Sequence, residues 1–365
     1  MEKLKVGAAY HGNRMLSHAI RDMNEMAKAD MDVVVHMLSH NDWERHSKVM
    51  GDIFKASEDA GLEVWVDNWG LSGSPGDKSH FLAYHPEARV YMGNGTPHRF
   101  QACLNAPSYR QFCKDWLDVV REIGGKKIFW DEPVMPTTQI PDSPFFYASC
   151  TCPTCRKIFE ERFNKPMPEK LDEDVKAFRD DTLVDFLTFV SDYAKSLGMD
   201  NSTVIQPQQI SIGKYENPMH YEWQLKELVP LDRICSIDSL EDIGTDPYWY
   251  WSDKIVGYDR IYEHVYEKTK DCLRVTEKHG KKSNVWLQSY GVPRGREDEI
   301  ITAAEAIYDA GARTILSWAY GGSEAVNYRA KNPEKSWAMT VEGFKRIKSM
   351  ERDRILEENK KRFKK

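Results

Sequence analysis

The chain has 365 residues, 30% of them charged and 41% hydrophobic, with a net charge of −6. That length suits one large barrel or two modest domains, and the composition is that of a globular protein, which excludes a disordered or membrane-embedded chain. No basic excess is available to neutralise phosphates, so nucleic acid is not an expected partner, and the basic "KKRFKK" end reads as a solvated helix end.

Short β-like runs alternate with amphipathic stretches along the chain. "KVGAAY" is the first strand signal, "MDVVVHML" the second and "GLEVWVDNW" the third. A polar loop rich in Gly and Pro then runs from Gly70 to about Thr96. Pro107 to Ile123 repeats apolar or aromatic residues at Tyr109, Phe112, Trp116, Val119, Val120 and Ile123, close to a helical period. "KKIFWDEP" is the fourth strand, followed by an excursion over 134–164 that holds three cysteines. A helix from about Val175 to Leu197 leads to "STVIQPQ", the fifth strand. "EDIGTDPYW", "SNVWLQSY" and "ARTILSWAYGG" supply the sixth to eighth, and a last helix begins near Ser336.

Eight strand signals with helices between them predict an α/β fold, a (β/α)8 TIM barrel with a zinc-bound loop excursion after strand 4. A doubly wound sheet would place a Gly-rich phosphate turn after the first strand, and "AAYHGNRM" lacks one. The expected organisation is a single barrel domain over 1–345, with the Cys-rich loop at 134–164 and a helical tail at 346–365. No charged-then-apolar leader opens the chain, and no stretch nears the roughly 18 apolar residues of a membrane span. A cytoplasmic protein without a membrane partner is therefore expected; a homo-oligomer is allowed.

Chemistry in such a barrel sits at the C-terminal ends of the strands. Those ends carry Tyr10 and His11; His36 and His40; Asp67, Asn68 and Trp69; Trp130, Asp131 and Glu132; and Gln206 and Gln208. Beyond them come Asp246, Tyr248 and Trp249; Trp286, Gln288 and Tyr290; and Trp318, Tyr320 and Glu324. Aromatic faces mixed with carboxylates, amides and imidazoles suit a carbohydrate substrate, whose C–H faces stack on rings and whose hydroxyls need polar partners. The chain holds 11 Trp and 17 Tyr, and their recurrence at strand ends points the same way.

"FWDEP" is the sharpest feature. Pro133 stops a buried strand and leaves Asp131 and Glu132 in the mouth. A carboxyl beside Trp in a partly dry site favours its neutral form, which suits a general acid. Glycoside hydrolysis needs a second carboxylate. Asp246 in "GTDPYW" is the first candidate, with Asp67 and Glu324 behind it. His11, Asn68, Asp131 and Gln288 are expected to bind hydroxyls, and Trp69, Trp249, Trp286 and Trp318, with Tyr248, to stack on sugar.

Cys150, Cys152 and Cys155 form C-x-C-x-x-C, a spacing able to wrap one tetrahedral Zn²⁺. Cys103 and Cys113 are the nearest sources of a fourth ligand. Four thiolates would close the site and make the zinc structural. No organic cofactor is expected.

Three segments in order, "CLNAPSYRQF", "IFWDEP" and "CTCPTCRKIFEERF", resemble the catalytic barrel of the glycoside hydrolase family 42 β-galactosidases, as does "GARTILSWAYGGSEAVNY" near the end. The resemblance implies that Cys103 is the fourth zinc ligand and Glu132 the acid/base. Asp131 then stands where the family has a sugar-binding Asn. Two departures accompany it: Gln288 occupies the position of the family's strand-7 Glu nucleophile, and family members continue into further domains where this chain stops. A divergent glycosidase is the expectation. A carbohydrate-binding barrel that has lost hydrolysis is the alternative.

Overall fold

Apolar runs form eight parallel strands in the computed structural model: β1 (Lys5–Tyr10), β2 (Val33–Met37), β3 (Glu63–Asp67), β4 (Lys127–Trp130), β5 (Asp200–Val204), β6 (Asp242–Gly244), β7 (Asn284–Gln288) and β8 (Thr314–Trp318). The structure describes residues 3–363 except 12, 73–75, 93–94, 134, 136–137, 140–145, 148, 169–171, 208–228, 252–253 and 256–259. Hydrogen bonding orders the strands β6-β5-β4-β3-β2-β1-β8-β7, the sequential order of a (β/α)8 barrel. The main helices are α1 (Leu16–Lys28), α2 (His40–Asp59), α3 (Pro107–Glu122), α4 (Pro153–Phe163), α5 (Glu173–Ser196), α6 (Ile261–Lys278), α7 (Glu299–Asp309) and α8 (Pro333–Phe363). Among the described residues no helix is long and apolar enough to cross a membrane.

The residues divide into two compact units, one of 1–37, 52–65 and 243–365, the other of 38–51 and 66–242. In the first, β1 pairs with β2 and β8, and β7 pairs with β8, all in parallel. Just past β6, Thr245 bridges to Val285 of β7. Its N–H donates to Asn284 and its carbonyl accepts from Trp286. Gly244 makes this approach feasible, because a Cβ there would lie 1.8 Å from the Asn284 carbonyl oxygen. α8 runs unbroken across residue 345, and Glu351 on it accepts a hydrogen bond of 2.9 Å from the Tyr308 hydroxyl on α7. Trp337 Nε1 donates to Glu25 on α1 at 2.9 Å.

In the second unit β4 pairs with the end of β3 and with β5. α3 starts on Pro107, whose fixed φ suits the first helical position. Its buried stripe is Tyr109, Phe112, Cys113, Trp116, Leu117 and Val120, the three- and four-residue spacing read from the sequence. Burial of each large side chain contributes on the order of 2 kcal/mol. Asp172 caps α5 by accepting the Val175 N–H at 2.8 Å. The stretch read as a loop over 70–96 is partly regular. It holds a helical turn at Phe81–Tyr84, and its strand Arg89–Tyr91 pairs antiparallel with Pro97–Ala102. The Arg89 guanidinium locks this hairpin by donating to the carbonyls of Leu82 and Arg99, both at 2.9 Å. Only part of the excursion over 134–164, and not Gln208, falls within the described residues.

His36 on β2 is wholly buried in the first unit, its Nε2 2.9 Å from Ser57 Oγ. Burial, then the charge of Arg14, hold its pKa near 3 instead of 6.5. The unfolded chain therefore takes up this proton below about pH 6.5 and the folded chain does not until about pH 3. Stability is lost as pH falls through that window, by up to about 1.4 kcal/mol per pH unit. Thermal melts between pH 7 and 4.5 should show a falling midpoint, and His36→Gln should make that fall shallower.

Candidate active site and thiol cluster

In the second unit the carboxyl ends of β3, β4 and β5 bring Asp67, Glu132 and Gln206 together. Trp130 anchors the end of β4: its indole N–H donates to Asn201 at 3.0 Å, and its carbonyl accepts from Thr203 at 2.8 Å. Asn68 then accepts the Asp131 N–H on its side-chain oxygen at 3.0 Å, fixing the turn after the strand. Glu132 sits on that turn with φ +39°, a left-handed conformation that costs a non-glycine residue on the order of 1 kcal/mol or more. Strain of this kind concentrates at functional positions. Its half-buried carboxylate accepts from Gln206 Nε2 at 2.5 Å.

Asp67 is completely buried. Burial raises its carboxyl well above the usual range; the Trp69 backbone N–H pulls the other way, and the charge of Glu132 adds to the rise. The neutral acid is therefore the favoured form of Asp67. The sequence suggested Asp67 as a second carboxylate only behind Asp246. In the sequence Gln206 is only a strand-end amide. Its signal was its position one residue after the apolar run of β5.

The first unit holds most of the other expected residues. Asp246 is buried, and its carbonyl accepts the Tyr248 N–H at 2.6 Å in a tight turn before Trp249. Trp249 and Trp286 are each only 1% exposed. Their indole N–H groups donate to Glu299 at 3.2 Å and Asn284 at 3.0 Å. These rings are packed wall, not open platforms, which corrects the stacking role expected of them. Trp318 is buried too, edge-on to Trp286 and to His11. Burial, then Arg14, hold His11 neutral with a pKa near 4. Tyr248 is half-buried, edge-on to Tyr290 at 5.1 Å. Trp69 is half-buried in the second unit, and Glu324 is exposed on the turn after β8.

Gln288 departs from its expected role most clearly. It is fully buried. Its side-chain oxygen accepts the N–H groups of Trp249 at 2.8 Å and Tyr250 at 2.9 Å, and its amide donates to the Tyr250 carbonyl at 2.9 Å. Both lone pairs are spent on backbone, so the residue pins the segment after β6 and has no acceptor left for a sugar hydroxyl.

Cys103, Cys150, Cys152 and Cys155 form one buried group whose sulfurs lie within 4.8 Å of one another. Cys152 starts α4 and Pro153 follows at its first position, so the turn of the helix carries Cys155 back to the same point. Four sulfurs about 2.3 Å from a tetrahedral ion stand about 3.8 Å apart. The Cys103 sulfur is 3.3 Å from that of Cys155 and 3.7 Å from that of Cys152. N–H donors support the sulfurs: Tyr91 N reaches Cys150 at 3.4 Å, and the Asn105 side chain reaches Cys155 at 3.4 Å. The donor set fits one metal ion and, with four thiols, is of the closed structural type. Cys113 lies outside it, paired with Tyr109, its thiol pushed up to about 12 by burial. Asn105 carries no sequence signal for this role, because its target is remote in the chain.

No protein-family model matches the chain, and no curated protein sequence matches it. Solved structures do resemble it in fold. The catalytic domain of a beta-amylase from Paenibacillus polymyxa superposes with a TM-score of 0.65 at 10% identity, over 95% of this chain and 98% of that one. An endo-beta-1,4-mannanase from Thermotoga petrophila gives 0.60 at 12%, over 95% and 77%. An endo-1,4-beta-mannanase from Rhizomucor miehei gives 0.59 at 11%, over 95% of each chain. At such identities the likeness establishes the barrel fold alone.

Replacing Gln288 with Leu should strand two buried N–H groups and a carbonyl, costing about 3 kcal/mol or more. Urea denaturation would show the loss as a lower midpoint with an unchanged slope.

Proposed function

We propose that the chain is a glycoside hydrolase, with Glu132 as the proton-transferring carboxyl. The observation that carries this is Glu132 itself: left-handed at the end of β4, hydrogen-bonded by Gln206, and close enough to the buried Asp67 for its charge to raise that carboxyl. A half-buried carboxyl at the carboxyl end of a barrel strand, where chemistry in this fold is placed, is suited to pass a proton to or from a substrate. The resemblance of the "IFWDEP" and cysteine segments to family 42 supports the same class, as does the likeness in fold to a beta-amylase and to mannanases. In this reading Glu132 protonates the leaving oxygen of a small glycoside or oligosaccharide, and Asp131 and Trp69 contact the sugar. Asp67 acts through Glu132 as a positioning residue. Asp246 is retained as the candidate nucleophile or water-activating base.

Purified protein assayed on a panel of aryl glycosides and oligosaccharides should release sugar. Glu132→Gln should then lower kcat by about 10²- to 10⁴-fold with a modest change in KM. Full activity in that variant would remove Glu132 from the chemistry. Loss of activity in Asp246→Asn with an intact fold would assign the second carboxylate; full activity would exclude it.

The state of Gln288 favours a second reading. An amide spent on backbone leaves the strand-7 position without a carboxylate, as expected of a carbohydrate-binding barrel without hydrolysis. Sugar-dependent Trp fluorescence with no turnover on the same panel would select it.

The four-thiol group is proposed to hold one structural Zn²⁺ through Cys103, Cys150, Cys152 and Cys155, tying the start of α4 to the segment before α3. A strong chelator should lower the melting temperature of the wild-type protein by several degrees. Cys155→Ser should melt lower from the outset and respond little to the chelator.

A further inference from the structure

Besides the thiols, the described residues of the second unit gather another set of metal-ligating side chains: His40, Glu44 and His80, whose donor atoms lie within 4.8 Å of one another. His40 opens α2, and Glu44 follows one turn later on the same face. His80 immediately precedes the helical turn at Phe81–Tyr84, in the excursion between β3 and β4. Glu44 Oε1 is 3.0 Å from His80 Nε2 and 3.6 Å from His40 Nε2. Ligands about 2.0–2.1 Å from one tetrahedral ion stand about 3.4 Å apart, so the two observed spacings bracket that value.

The far side of His40 is arranged as in metal centres. Its Nδ1 is 2.8 Å from Ser79 Oγ, which also accepts the Phe81 N–H at 3.1 Å. With a proton on Nδ1 directed at Ser79, the lone pair lies on Nε2, toward Glu44. The ring is held in place as well: it stacks on His80 at 4.1 Å and meets Phe112 edge-on at 4.8 Å. Burial is graded. The His40 side chain is 9% exposed, whereas Glu44 and His80 are each 42% exposed. The group therefore opens into a cavity of about 420 Å³, walled by Trp43, Phe81 and Tyr84. That space leaves a fourth coordination position for water or a small oxygen ligand.

We propose that His40, Glu44 and His80 form a second metal site, for a divalent transition ion of the zinc class, that fastens the excursion between β3 and β4 to α2. Two imidazoles and one carboxylate select Zn²⁺, Co²⁺, Ni²⁺ or Cu²⁺ over the oxygen-seeking Ca²⁺ and Mg²⁺. Unlike the thiol group, this site is exposed and incompletely enclosed, so its ion exchanges readily. It is independent of any glycosidase activity.

The test is a Co²⁺ titration of full-length protein whose thiol group already carries zinc, followed by visible absorption and by metal analysis. Wild-type protein should take up one further ion per chain, with d–d bands but no sulfur-to-cobalt charge-transfer absorption. Zn²⁺ should displace the Co²⁺, and Mg²⁺ should not. His80→Ala and Glu44→Gln change exposed side chains and should fold normally, yet bind Co²⁺ at least tenfold more weakly. Absence of a further equivalent in the wild type, or equal binding in both variants, would overturn the site. Appearance of the charge-transfer band would also overturn it by placing the Co²⁺ on cysteine.

Discussion

The structure depends on closing its sheet. An eight-stranded parallel sheet left open exposes two edges of unpaired backbone, whereas a closed one has none. Closure runs through the short segment after β6, where Thr245 exchanges hydrogen bonds with Asn284 and Trp286. Gly244 is required there because no side chain fits against the Asn284 carbonyl. Gln288 completes the join one turn of backbone later by taking up the N–H groups of Trp249 and Tyr250. The indoles of Trp249 and Trp286 are buried around the same seam.

That constraint separates two uses of polar side chains at strand ends. Some are spent on architecture: Gln288 on the β6–β7 seam, Asn68 on the turn after β4, Asn201 on the Trp130 indole. Others keep a partly exposed polar group at a strand end, and Glu132 is the clearest. Its backbone is strained, its carboxylate half-buried, and it interacts with a buried carboxyl, Asp67, whose neutral form burial favours. A side chain of the first kind is recognised by saturated hydrogen-bonding capacity. One of the second kind keeps capacity facing solvent.

Cysteine and histidine follow a similar division in the second unit. The four thiols are buried and mutually within ligand reach, so an ion there would be enclosed. The His40, Glu44 and His80 group is half open and borders a cavity. Both groups lie where an excursion from the barrel meets a helix start, α4 in one case and α2 in the other, and an ion in either would act as a local crosslink. Long insertions close little apolar surface of their own, and local crosslinks offset the entropy of holding them.

The alternation of apolar runs and amphipathic stretches was enough to determine eight strands, their order along the chain and the barrel class, because burial on both faces demands near-continuous apolar strands. The spacing of Cys150, Cys152 and Cys155, with "FWDEP", also marked the thiol group and Glu132 from sequence. Tertiary structure decided the rest. That Asp67 interacts with Glu132, that Gln206 reaches it, and that Trp249, Trp286 and Gln288 are buried in the wall, all depend on burial and on partners far away in the chain. His40 and His80 are forty residues apart in round terms and carry no motif; only the fold stacks their rings. Sequence periodicity reports which face of an element is buried. It cannot report which polar group the burial leaves without water, and that is what distinguishes a structural side chain from a reactive one.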